Sequence, residues 1–192
     1  MSGSREEVEV KLSFPSAAEA LSRLHGAGAA DLAPRTFEDN ALWDRDGGAL
    51  ASSGRVLRVR RAGRRAVLTF KRKLPGGGRY KVCEEHETEV ADPVALEGVL
   101  RGVGFHQAYR YQKYRTELRL EDVHVSIDET PLGCYVELEG ARDAIDRAAE
   151  RLGFTPDRYV RATYRELQVQ ASPDGEPGDL LMRDEAGDSP RR

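Results

Sequence analysis

Charged side chains recur at every second position in several separate stretches of the chain. Glu7, Glu9 and Lys11 alternate with Val8, Val10 and Leu12, Arg58 and Arg60 with Leu57 and Val59, and Thr69, Lys71 and Lys73 with Leu68 and Phe70. Glu85, Glu87 and Glu89 keep the same spacing, as do Lys113, Arg115, Glu117 and Arg119, then His124, Ser126 and Asp128, and finally Glu137 and Glu139. In an extended strand, residues two apart share a face at a separation of about 6.6 Å. Carboxylates grouped this way, with no paired cysteines or histidines, are hard oxygen donors suited to Mg²⁺ or Mn²⁺. Lysines and arginines on the same surface neutralise a polyanion, and phosphate groups that bridge to a metal would use both sets.

An ordinary antiparallel sheet, apolar face on a core and charged face in water, also produces this alternation. Two features favour an enclosed charged surface instead. Like charges at Glu85, Glu87 and Glu89 repel, where a solvated face mixes Thr, Ser, Gln and Lys. The helices, in turn, are amphipathic and need an apolar surface to cover; packed outside a closing barrel, they turn the charged faces inward.

The elements that must carry these residues are mostly strands. Period-two patterns cover 6–13, 35–45, 55–61, 66–73, 80–90, 109–120, 123–128 and 134–139. Gly63 supplies the turn between the third and fourth, and the glycine run at 75–79 makes another turn; it lacks the Gly-Lys-Ser/Thr ending of a phosphate loop. Helices are predicted at 15–24, at 93–101 with Asp92 as N-cap, at 141–152 with Gly153 beyond its end, and at 157–169. The expected fold is α+β, mainly β: an eight-stranded antiparallel closed barrel with amphipathic helices outside.

The chain has 192 residues, 30 Lys and Arg against 33 Asp and Glu, and a net charge of -3. That length predicts one domain over 1–170. The stretch 171–192 is rich in Pro, Gly and Asp and predicts a disordered acidic tail, leaving the body electrically balanced. A balanced body lacks the basic excess of a general nucleic-acid binder, and no apolar run is long enough for a membrane helix. The first residues, MSGSREEVEVK, have no apolar segment behind the first basic residue, which predicts no secretory signal and a cytoplasmic protein. Cys83 and Cys134 lie far apart in no CxxC pair and are expected to be small buried residues.

The ordered set of motifs resembles the CYTH domain, or triphosphate tunnel metalloenzymes, which include class IV adenylyl cyclases and thiamine triphosphatases. It comprises Glu7-Val8-Glu9-Val10-Lys11, Leu57-Arg58-Val59-Arg60, Leu68-Thr69-Phe70-Lys71, Glu85-His86-Glu87-Thr88-Glu89, Lys113-Tyr114-Arg115, and Asp128 followed by Leu132 to Glu139. The resemblance implies a barrel tunnel holding divalent cations, Mg²⁺ or Mn²⁺, and a small-molecule triphosphate. By motif, Glu7, Glu9, Asp128, Glu137 and Glu139 would hold metal, and Lys11, Arg58, Arg60, Lys71, Lys113 and Arg115 would grip phosphates. Lys11, Glu85 and Glu87 are the catalytic candidates, with Arg161 or Arg165 capping the tunnel. The segment Phe37-Glu38-Asp39-Asn40 departs from the family's Tyr-Phe-Asp-Thr.

The expected activity is metal-dependent hydrolysis of an inorganic or organic triphosphate. The alternatives are a class IV adenylyl cyclase and a non-catalytic polyphosphate- or nucleotide-binding module. No nucleic acid or membrane partner is expected, and a homodimer is left open. His124 is expected in the lumen, and Trp43 and Tyr109 in packing. Because neighbouring carboxylates repel, Glu7→Gln and Glu137→Gln are each expected to leave the thermal midpoint intact or raised.

Overall fold

The computed structural model describes residues 5–172, 175 and 177–182. Eight strands run β1 (Arg5–Phe14), β2 (Ala30–Asp44), β3 (Arg55–Ala62), β4 (Arg65–Lys73), β5 (Lys81–Glu89), β6 (His106–Leu120), β7 (Val123–Thr130) and β8 (Gly133–Glu139). The helices are α1 (Ala17–Gly26), α2 (Pro93–Gly102), α3 (Arg142–Arg151) and α4 (Tyr164–Ala171). The strands close into a barrel in the order β1-β5-β4-β3-β2-β6-β7-β8, each pair antiparallel, with β8 returning to β1. As expected, the fold is mainly β, with a closed eight-stranded barrel and helices outside.

The apolar residues of the period-two patterns face outward. Val10, Leu12, Val125, Ile127, Val136 and Leu138 are buried beneath α1 and α3 in one core with Leu24, Ile145 and Ala149. Each fully buried Val or Leu contributes roughly 1.5–3 kcal/mol, so the covered outer face sets the inside-out arrangement. On α3, Ala144, Ala148 and Ala149 let the helix lie close to the sheet. Ser16 starts α1 by accepting from the Glu19 N–H, and Asp92 starts α2 by accepting from the N–H groups of Val94 and Ala95. Beneath α2, Leu100 completes a second core with Trp43 and Val59, which places Trp43 in packing as expected.

The C-terminal part departs from the sequence pattern in two places. No single helix spans 157–169: a short 3₁₀ turn at Pro156–Arg158 leads to extended chain, and α4 begins only at Tyr164, behind a Thr163–Glu166 capping box. The cause is a gap beside β1. Since β5 starts at Lys81 opposite Glu9, the backbone of Lys11 is unpaired on that side, and Val160 takes both of its hydrogen bonds. Likewise, part of the stretch expected to be a disordered tail is ordered. β6 pairs with β7 only from Tyr114 onward, leaving its first half as an open edge. Leu180 bridges Tyr111 there in parallel, donating to the Arg110 carbonyl and accepting from the Gln112 N–H. Residues 173, 174, 176 and 183–192 of the expected tail lie outside the described residues.

Candidate functional site

Inside the barrel, β1, β7 and β8 present one wall of carboxylates. Glu7 and Glu9 come from β1, Asp128 from β7 and Glu137 from β8; of these Asp128 is the most deeply buried. Each meets a cation. Lys71 contacts Glu7 at 2.5 Å and Glu85 at 3.1 Å. Lys81 contacts Glu9 at 2.8 Å. Asp128 accepts from Lys113 at 2.7 Å and is gripped by both Nε and Nη2 of Arg115 at 2.7 Å, while Arg115 also reaches Glu137 at 2.6 Å. Leaving any of these charges buried without a partner would cost several kcal/mol, so the lumen's own cations neutralise its carboxylates.

Around Arg58 and Arg60 of β3, facing Glu38 of β2 and Glu87 of β5, the ion pairs are longer. Arg60 lies 3.6 Å from Glu38 and 3.8 Å from Glu87, Arg58 lies 3.5 Å from Glu87, and Lys113 lies 3.5 Å from Glu38. Arg58 also donates to the Tyr111 hydroxyl and to Thr69 Oγ1, and Thr69 in turn donates to Glu87 at 2.7 Å.

Opposing fields set the protonation of these groups. Burial would raise the Glu9 carboxyl, but Lys11 and Lys81 outweigh it and hold it far below the usual carboxylate range. Glu137 is held well below that range against the same burial by Lys11 and Arg115. Glu38 falls to about 2, because Lys113, Arg115 and Arg60 overcome its desolvation. Glu7 is the exception: desolvation, together with Glu9 and Glu85, exceeds the pull of Lys71 and raises its pKa. Tyr111 is lowered, since Arg58 and Lys113 overcome the burial of its phenol.

The two ends of the barrel differ. Where β1 finishes, Tyr164 enters from α4, donating to Asp128 at 2.6 Å and to Glu137 at 3.3 Å, with Lys11 and Lys113 over its ring. Burial, then Asp128 and Glu137, push its phenol pKa well up. Tyr109, Tyr111, Tyr135 and Leu180 pack around it and fill that end. At the other end, where β1 begins, a cavity of about 510 Å³ opens between β2, β3, β4, β5 and β6, lined by Arg60, Arg115, Glu87, Pro34 and Val67 among others.

The structure therefore brings Glu7, Glu9, Lys11, Arg58, Arg60, Lys71, Glu85, Glu87, Lys113, Arg115, Asp128 and Glu137 together in one lumen. Glu139 sits at the mouth, paired with Arg5 and next to His124, which lines the same rim. Arg161 and Arg165 do not reach the lumen: Arg161 donates to the Gly78 carbonyl, and Arg165 donates to Pro177 and lies over Tyr109. The residue that caps the tunnel is their neighbour Tyr164. Sequence reading also missed Lys81, Glu38 and Tyr111. Lys81 shares the inward parity of Glu85 and Glu87, a usable signal, whereas Tyr164 on a helix has no such parity.

A divalent cation suits the donors, although among the described residues no three carboxylate, cysteine or histidine groups converge as a formed metal site. Lys11 Nζ lies 3.1 Å from Glu9 and 3.3 Å from Glu137, so one positive charge already bridges two hard oxygen donors. No helix among the described residues is long and apolar enough to cross a membrane.

Comparison with known structures returns the same architecture. A candidate adenylate cyclase from Vibrio parahaemolyticus superposes with a TM-score of 0.74 at 16% identity, covering 86% of this chain and 99% of that one. The PH1012 protein of Pyrococcus horikoshii gives 0.73 at 22% identity, with 84% and 98% covered. A Hippeastrum protein, a candidate adenylyl cyclase described as having a dominant triphosphatase activity, gives 0.61 at 21% identity, with 89% and 98% covered. No curated protein sequence matches. The model of the CYTH domain matches residues 5–155, the span that builds every strand of this charged lumen, and the chain belongs to the CYTH domain family.

Proposed function

We propose that this chain is a divalent-metal-dependent phosphohydrolase of inorganic or organic triphosphates bound in the barrel lumen. The observation that carries this reading is the asymmetry between two sets of ion pairs. The carboxylate wall is tied to its cations at 2.5–3.3 Å, whereas Arg60, which lines the cavity, and Arg58 on the same strand lie 3.5–3.8 Å from the carboxylates of Glu38 and Glu87. Loosely engaged, desolvated guanidinium groups at a cavity are suited to a phosphate chain.

In this reading Arg58, Arg60, Lys71, Lys113 and Arg115 grip the phosphates, and Lys11 stays at Glu9 and Glu137. Glu7, Glu9, Asp128 and Glu137, with Glu139 at the rim, are the residues that would hold Mg²⁺ or Mn²⁺. When bound, the ion supplies neutralisation of charge on the phosphoryl oxygens. Glu85 and Glu87 orient the attacking water. Its oxygen bonds to the terminal phosphorus as the bond from that phosphorus to the bridging oxygen breaks, leaving orthophosphate and a diphosphate. Positioning and electrostatics account for the catalysis.

The second reading, a class IV adenylyl cyclase, needs a seat for a nucleoside outside the phosphates. The side chains at the cavity are arginines, carboxylates, Thr36 and Thr88, and the small aliphatic groups of Ala33, Pro34, Ala62 and Val67, with no aromatic ring among the described residues there to stack on a base, which favours hydrolysis. The dominant triphosphatase activity ascribed to the Hippeastrum relative points the same way.

The test is product analysis after incubating the protein with Mg²⁺ or Mn²⁺ and tripolyphosphate, thiamine triphosphate or ATP. Orthophosphate release that a chelator stops is expected, and Arg58→Ala should lower kcat/KM by about 100-fold, the effect of losing one charged transition-state contact. Cyclic AMP and pyrophosphate from ATP would instead establish the cyclase, and ligand binding with no product would establish a binding module.

A further inference from the structure

Asn40 lies in the C-terminal half of β2, on the lumen face between Arg60 of β3 and Tyr111 of β6, and is 0% exposed. Among the described residues neither its Oδ1 nor its Nδ2 has a hydrogen-bond partner, and the same holds for Nε of Arg58 on the neighbouring strand. A buried amide without partners costs about 1–3 kcal/mol for each unmade bond, and such groups in native proteins call for a reason. Of the surrounding polar groups, Thr69 bonds Glu87, the Tyr111 hydroxyl accepts from Arg58 and Lys113 bonds Asp128, while Glu38 Oε2 has only Lys113 at 3.5 Å. Two N–H donors, one neutral and one cationic, are thus left open in one part of the lumen, beside the acceptors Asn40 Oδ1 and Glu38 Oε2.

Position along the tunnel identifies what they face. Glu38 and Arg60 line the open cavity, whereas Asn40 is one inward step deeper and beside Tyr111, which packs on Tyr164 at the filled end. A phosphate chain entering from the cavity would bring its leading, unsubstituted phosphoryl group there. Resting on the triphosphate reading above, we infer that Asn40 Nδ2–H and Arg58 Nε–H form the subsite for the terminal phosphoryl group, Asn40 being a substrate-binding residue. A neutral amide suits this place because a carboxylate would repel the anion.

The inference is tested with Asn40→Ala and Asn40→Asp, reading the ligand-free thermal midpoint and calorimetric binding of tripolyphosphate and pyrophosphate in Mg²⁺. Asn40→Ala is expected to leave the midpoint unchanged or raised, since it deletes unpaired polar atoms, and to weaken both ligands about tenfold, the worth of one good hydrogen bond to a charged group. Asn40→Asp should raise the midpoint through Arg58 and Arg60 and weaken binding further. Both ligands place one end at the bottom, so the fold-loss should be equal. Any of three results overturns the subsite while leaving the triphosphate reading standing: a lowered midpoint in Asn40→Ala, unchanged tripolyphosphate affinity, or a loss confined to tripolyphosphate. Wild-type protein that binds neither ligand would remove both the subsite and the reading beneath it.

Discussion

Glu7 and Glu137 are both lumen carboxylates, yet the fields around them have opposite signs. Glu7 has a pKa raised above its ordinary 4.5, so the folded protein binds its proton more tightly than the unfolded chain does. Its charge therefore becomes a burden on the fold as pH rises through the raised value. Glu137 is lowered, so its contribution to stability is present above about pH 4.5 and lost as pH falls through its folded value. Glu7→Gln is accordingly expected to raise the thermal midpoint at pH 7–8, with the gain shrinking toward pH 4. Glu137→Gln should lower stability at pH 7 by roughly 3 kcal/mol, because Lys11 and Arg115 lose a buried partner. This departs from the expectation, drawn from mutual repulsion alone, that both substitutions would be tolerated. Urea unfolding of both variants across pH 4–8 checks the signs, and parallel behaviour would show the fields to be misread. Repulsion was legible in the spacing of Glu7 and Glu9; the cations facing them came from strands far away in sequence and were not.

At the scale of elements, the strands were legible because a closed barrel separates two chemistries across each sheet face, and period two records that separation. β2 was the weakest pattern since both of its faces carry polar groups: Asp39 pairs outward with Arg110 while Glu38 and Asn40 point inward. The same mixture hid Asn40. The C-terminal elements were misread because their shape answers to gaps left by unequal strand lengths, which no local pattern reports. α4 and the Leu180 segment fill those gaps, and each makes a separate claim. Tyr164→Phe removes the donor to Asp128 and should cost about 1–2 kcal/mol in urea unfolding. Leu180→Pro removes the N–H that donates to the Arg110 carbonyl. Faster hydrogen exchange at the Gln112 amide, with the β1–β8 amides unchanged, is the expected result. Unaltered exchange at Gln112 would mean that the segment contributes nothing to that edge.

The whole molecule is a tube with its charged groups inside, its apolar groups under helices, and one end occupied by Tyr164 and its aromatic neighbours. A tube filled at one end cannot be threaded. On the proposed triphosphate reading, a polyanion must offer a loose terminus, because a closed loop of phosphates has nothing to lead with and a long chain cannot pass through to expose an interior bond. Cyclic trimetaphosphate, chemically the nearest match to tripolyphosphate in composition, is therefore expected to be neither hydrolysed nor inhibitory. Linear polyphosphate of many units should be shortened one unit at a time, so that gel electrophoresis shows orthophosphate and a slowly receding ladder with no mid-length fragments. The architecture would make the protein a reader of ends, indifferent to how far the rest of the molecule extends into solvent.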